Sequence, residues 1–76
     1  MAWKTYLIMY FGTKNVGASE IARRVESLGF KTVFGTADFI YDWQKKPTKE
    51  EILAIGDKLV QALKDSGAVF NLDTHD

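Results

Sequence analysis

Between Gly12 and Ser19 the chain reads GTKNVGAS, the stretch whose residue types come nearest to a known chemistry. Phosphate-binding loops have the form G-x-x-x-x-G-K-[ST]. Their backbone amides cradle phosphates, the lysine neutralises charge and the hydroxyl holds magnesium. Gly12 and Gly17 have that spacing and Ser19 has the hydroxyl, but position 18 is alanine. Without the lysine the loop loses its main anchor, and a turn between a strand and a helix accounts for both glycines. A weaker anion site survives, in which free amides at the helix start, bracketed by Gly12 and Gly17, are helped by Lys14.

Other candidates are fewer. Asp38 and Asp42 are four positions apart, so in a strand they share a face, about 13 Å from each other at normal rise. Paired glycosidase carboxylates sit roughly 5 to 9.5 Å apart, so the two aspartates read instead as rim charges that blunt a sticky surface. Asp38 is also placed to bond a ligand's amine. His75 is the only histidine and falls next to the last residue, where chains are usually loose. With no second histidine or cysteine near it, neither metal binding nor base catalysis is expected. Phe39, Tyr41 and Trp43 alternate as the stacking aromatics of an RNA-recognition motif do. That module requires K/R-G-F/Y-G/A-F-V-x-F/Y, whereas FGTADFIYDW has alanine and aspartate at aromatic positions. These aromatics are expected in a core.

The elements that must position these residues follow from pattern. Trp3 to Phe11 (WKTYLIMYF) is aromatic, branched and apolar on both faces, which predicts a central strand. Ala18, Ile21, Ala22, Val25 and Leu28 then recur at helical spacing, with Glu20, Arg23, Arg24 and Glu26 outward and Gly29 as the stop. Phe30 to Phe34 and Asp38 to Trp43 alternate around Gly35-Thr36, a hairpin signature. Lys45, Lys46 and Pro47 end it. Thr48-Lys49-Glu50-Glu51 is a capping box, followed by an apolar ridge of Ile52, Ile55, Leu59 and Leu63 with a second of Leu53, Gly56 and Val60. Gly56, costing about 1 kcal/mol relative to alanine, is expected where the helix meets the sheet. Ser66-Gly67 closes the helix, and Ala68 to Leu72 forms the last strand. The order β-α-β-β-α-β predicts a ferredoxin-like plait of class α+β: four antiparallel strands with both helices on one face.

Composition sets bounds on partners. The 76 residues are 46% hydrophobic and 26% charged, an ordinary globular mixture that makes a single domain over residues 1–76. There are no cysteines, and ten Lys plus Arg balance ten Asp plus Glu. The basic excess on which nucleic-acid binding usually depends is missing, so nucleic acid is not an expected partner. The apolar run Tyr6 to Phe11 is far short of the roughly 20 residues of a membrane span, and its flanks lack a signal-peptide pattern. A cytoplasmic protein without cofactor or bound metal is the expectation. A domain this small without staples needs tight packing or a partner subunit, which favours self-association.

With both helices on one face, the other face is bare. Trp3, Thr5, Leu7, Met9 and Phe11, with Phe39, Tyr41 and Trp43, are the larger apolar sets and are assigned to the helix side. Tyr6, Ile8, Tyr10 and Ile40 then lie on the open face, edged by Asp38 and Asp42, with Val33 and Val69 as candidates to join them. A contiguous apolar patch of this kind marks an interaction surface.

From Lys31 onward, VFGTADFIYDW, Pro47-Thr48, an amphipathic helix and SGAVFNLDT resemble the ligand-sensing domain of leucine-responsive regulators and related dimeric α/β-barrel proteins. In that family a glycine and a following aspartate open the third strand, and a "GV…T" strand ends the domain, here Gly67, Val69 and Thr74. Ala37 replaces the usual aromatic residue, and no DNA-binding helix-turn-helix precedes the domain. The resemblance implies sheet-to-sheet dimers or larger rings with a small-molecule effector between subunits, and not transcriptional regulation. The combined expectation is a regulatory, non-catalytic domain that self-associates and binds a small ligand or protein partner at its sheet face, through Tyr6, Ile8, Tyr10, Asp38, Ile40 and Asp42. The alternatives are a small dimeric α/β-barrel enzyme whose pocket includes Tyr6, Tyr10 and Asp38, and an RNA-binding module using the sheet aromatics.

Overall fold

The computed structural model describes residues 2–10, 17–35 and 37–76. Strand β1 (Lys4–Tyr10) leads to helix α1 (Ala18–Ser27), the hairpin strands β2 (Lys31–Thr32) and β3 (Phe39–Asp42), helix α2 (Lys49–Ala62) and strand β4 (Val69–His75). The sheet order is β2-β3-β1-β4, antiparallel throughout. This is the ferredoxin-like plait. β1 is central, as a strand apolar on both faces should be.

Alternation along β1 separates the two sides of the sheet. Thr5, Leu7 and Met9 are buried, whereas Tyr10 is 60% and Ile8 37% exposed. Leu7, Met9 and Phe39 meet Ile21 and Val25 of α1 and Ile55 and Leu59 of α2 in one core, joined by Phe30 and Leu63. Tyr41 and Trp43 pack against its margin. Beneath the helices, the Trp43 indole N–H donates to Thr5 Oγ1 at 2.7 Å, and Thr5 Oγ1 lies 2.7 Å from Thr74 Oγ1. Those three side chains tie the chain just past β3 to β1 and β4 and satisfy the hydroxyl of fully buried Thr5.

Both helices start and stop by local chemistry. Thr48 Oγ1 accepts from the Glu51 amide at 3.1 Å, and the Glu51 carboxylate accepts from the Thr48 amide at 2.9 Å, closing the capping box. The Thr48 amide and then Lys45 hold the Glu51 carboxyl below its ordinary range. α1 ends at Gly29, whose φ of +104° and 3.0 Å approach of an added Cβ to the Tyr41 ring both exclude a side chain. Arg24 crosses from α1 to donate to the Ala62 carbonyl at 3.1 Å. Past α2, buried Ser66 donates to the Leu63 carbonyl and accepts from the Ala68 amide, turning the chain into β4.

Four boundaries and contacts differ from the sequence expectation. β2 is two residues long instead of five, because Val33 bonds to the Asp38 carbonyl and the chain then leaves the sheet, with Phe34 fully exposed. β4 runs to His75 instead of stopping at Leu72, since β1 offers partners along its whole length, down to Lys4 opposite His75. Of the second apolar ridge on α2, Leu53 and Val60 remain about 60% exposed. Gly56 does face the sheet, but an added Cβ would lie 3.7 Å from Leu72 Cδ1, an ordinary contact distance.

Candidate functional site

The open face is built by the even-numbered residues of β1 and their neighbours. Tyr6 lies between Ile40 on β3 and Asp73 on β4, Ile8 pairs with Asn71, and Tyr10 with Val69. Lys4 lies between Asp42 and His75. The face therefore has two characters. Toward the C-terminal end of β1 it is apolar and exposed, with Tyr10 at 60% and Val69 at 64%. At the other end it gathers Lys4, Asp42, Asp73 and His75.

Between those ends lies a depression of about 350 Å³ lined by Tyr6, Ile8, Asn71, Asp73 and His75, with Ala37 and Leu72 completing it. The His75 ring stacks on Tyr6 with centroids 4.6 Å apart and planes 12° apart, and His75 Nε2 is 3.6 Å from an Asp73 carboxylate oxygen. An apolar floor with a stacked imidazole, a carboxylate and an amide along one wall suits a small molecule with an apolar body and one polar or ionisable group.

The sheet brings four of the expected residues, Tyr6, Ile8, Tyr10 and Ile40, onto one surface. Asp42 is on the same face, where its carboxylate accepts from the Gln44 amide at 3.1 Å as the chain turns with Gln44 at φ +61°. Asp38 is engaged differently. Its carboxylate accepts from the Met9 amide at 2.8 Å, closing the β1–β3 ladder where the hairpin diverges. Val33 is half-buried in the β2–β3 connection, whereas Val69 sits opposite Tyr10. Of the anion-loop candidates, Gly12 and Lys14 lie outside the described residues. Gly17 is the exposed, extended N-cap of α1, and its carbonyl accepts from the Ile21 amide at 3.1 Å. Phe39, Tyr41 and Trp43 are on the helix side, away from the open face.

His75, Asp73 and Asn71 are the residues that sequence reasoning missed. Apolar and polar residues alternate only from Phe70 to Asp73, which signals a strand there. It is the pairing of β4 with β1 as far as Lys4 that carries His75 onto the open face. Among the described residues no group of three or more His, Cys, Asp or Glu could hold a metal ion, and no helix is long and apolar enough to cross a membrane. Comparison with protein-family models, characterised proteins and solved structures gave no match to this chain.

Proposed function

We propose that this protein is a small cytoplasmic regulatory domain without catalytic activity. It self-associates through its open sheet face and binds a small ligand there. The observation that carries this reading is the two-character face itself: an exposed apolar end at Tyr10, Val69 and Ile8, running into a depression walled by Tyr6, His75, Asp73 and Asn71. The apolar end suits burial against a second copy. The depression suits a ligand that such burial would enclose. A ligand that binds the assembled form more tightly shifts the population toward it, so occupancy is read out as assembly. The resemblance of residues 31–74 to the sensing domain of leucine-responsive regulators leads to the same reading.

The ligand half is tested by titrating amino acids and small carboxylic acids while following backbone amide NMR shifts. Binding should move Tyr6, Asn71, Asp73 and His75 together, and Tyr6→Ala should abolish the response. Shifts confined to a second depression, lined by Leu28 after α1 and by Asp57, Lys58, Gln61 and Ala62 of α2, or a full response in Tyr6→Ala, would contradict the assigned site.

A further inference from the structure

The two edges of the sheet are built differently. β2 closes one side with two residues, one of them Lys31, and short charged edges resist pairing. β4 closes the other with seven residues and contains neither proline nor lysine.

Hydrogen-bond direction in β1 decides which groups of β4 are free. The Trp3 and Leu7 carbonyls accept from the Trp43 and Asp38 amides, and the Met9 amide donates to the Asp38 carboxylate, so all three point toward β3. In an antiparallel ladder a residue sends its N–H and C=O to the same side. Lys4, Tyr6, Ile8 and Tyr10 therefore bond to β4, through His75, Asp73, Asn71 and Val69. Phe70, Leu72 and Thr74 are left with their N–H and C=O groups turned outward, where no strand among the described residues meets them.

We propose that β4 is a self-pairing edge: a second copy of the chain adds its own β4, antiparallel, about a twofold axis at Leu72. In this register Leu72 faces its counterpart and Phe70 faces the second copy's Thr74. Every outward group of the three residues then finds a partner, two bonds to each residue pair. On the open face Asn71 falls opposite Asp73, and Val69 opposite His75, with no like charges directly opposed. Moving the axis to Asp73 would set two carboxylates against each other. Moving it to Asn71 would leave Thr74 opposite Ala68, outside the strand.

α2 supplies the shoulder of the same surface. Its α1 side carries Lys58 and Ala62, which border the second depression with Leu28. Its other side carries Gly56 over Leu72, flanked by Leu53 and Val60 at 58% and 60% exposure. Leu53 and Val60 thus overhang the β4 edge and would meet the same residues of the second copy across the twofold. A strip about 20 Å long and roughly 20 Å deep is on the order of 400 Å² per copy, about 800 Å² in total, a size typical of weak, reversible association. This surface is distinct from the open face, and the inference does not rest on the function proposed above.

The test is amide hydrogen exchange from micromolar to millimolar protein, on wild type, Leu53→Lys and Tyr10→Asp. Exchange at Phe70, Leu72 and Thr74 should slow with concentration, by about tenfold when nine-tenths of the chain is paired. The amides of Asn71 and Asp73, already bonded to β1, should change less. Leu53→Lys should remove the concentration dependence and Tyr10→Asp should keep it. Exchange at the three amides that is independent of concentration would overturn the proposal. So would a dependence lost in Tyr10→Asp but kept in Leu53→Lys, which would assign the protection to the open face.

Discussion

The two faces of one strand make opposite demands on the same backbone. On the helix side of β1, Leu7 is fully buried and Met9 nearly so, and Thr5 is bonded within its own layer. On the other side Ile8 and Tyr10, each one residue away, are left to solvent or to a partner. A sheet covered on both faces would need apolar residues at every position. Here the uncovered face is nearly as apolar as the covered one in β1, and polar only along β4 and the ends of its neighbours. The first face is explained by folding. The second is not, and it is where the function is proposed to lie.

That contrast can be broken at the core first. Leu59→Ala removes a fully buried side chain from beneath the sheet and should cost about 2–5 kcal/mol, a large part of the roughly 4–11 kcal/mol available to a domain of this length. Ile8→Ala on the open face should cost less, about 1–2 kcal/mol in the monomer, since 37% of its surface is already in water. Urea denaturation at low concentration measures both, and equal losses would erase the distinction between the faces. Thr5→Val keeps the shape but leaves the Trp43 indole N–H without its acceptor, for an expected loss of about 1–3 kcal/mol. Adding Trp43→Phe should then recover part of it. Thr48→Ala removes the cap of α2 and should cost about 1 kcal/mol, with the helix start fraying in hydrogen exchange.

The smallest effect is electrostatic. Arg23 first, then Arg24, hydrogen-bond the exposed Glu20 carboxylate and hold its pKa down to about 2 from 4.5. A depressed carboxylate stabilises the fold above its unfolded pKa and ceases to do so as pH falls through the folded value. The contribution should therefore fade between about pH 4.5 and 2. Glu20→Gln should flatten that part of the acid limb in a thermal-melt series and leave the neutral-pH oligomeric state unchanged.

Local chemistry was legible in the sequence, and contacts between distant residues were not. The capping box at Thr48–Glu51 and the stop at Gly29 depend on neighbours within a few positions. The alternation of β1 and β3 separated core from open face, which placed Tyr6, Ile8, Tyr10 and Ile40 together. Asp38 read as a free rim charge because its partner, the Met9 amide, is 29 positions away. His75 read as a loose end because only pairing with Lys4 extends β4 that far. Leu53 and Val60 read as a second ridge of α2. Only the sheet order shows that this side of the helix stands over an edge strand.

Whether the open face serves as an interface is read from mass in solution by light scattering at micromolar concentration. Wild type should be a dimer or larger assembly, and Tyr10→Asp, which places a charge at a residue 60% exposed in the monomer, should be a folded monomer under the same conditions. A wild-type chain that is monomeric at micromolar concentration, or a micromolar assembly that Tyr10→Asp leaves intact, would rule out the open face as that interface; the weaker β4 pairing, which Tyr10→Asp keeps, is expected only toward millimolar concentration.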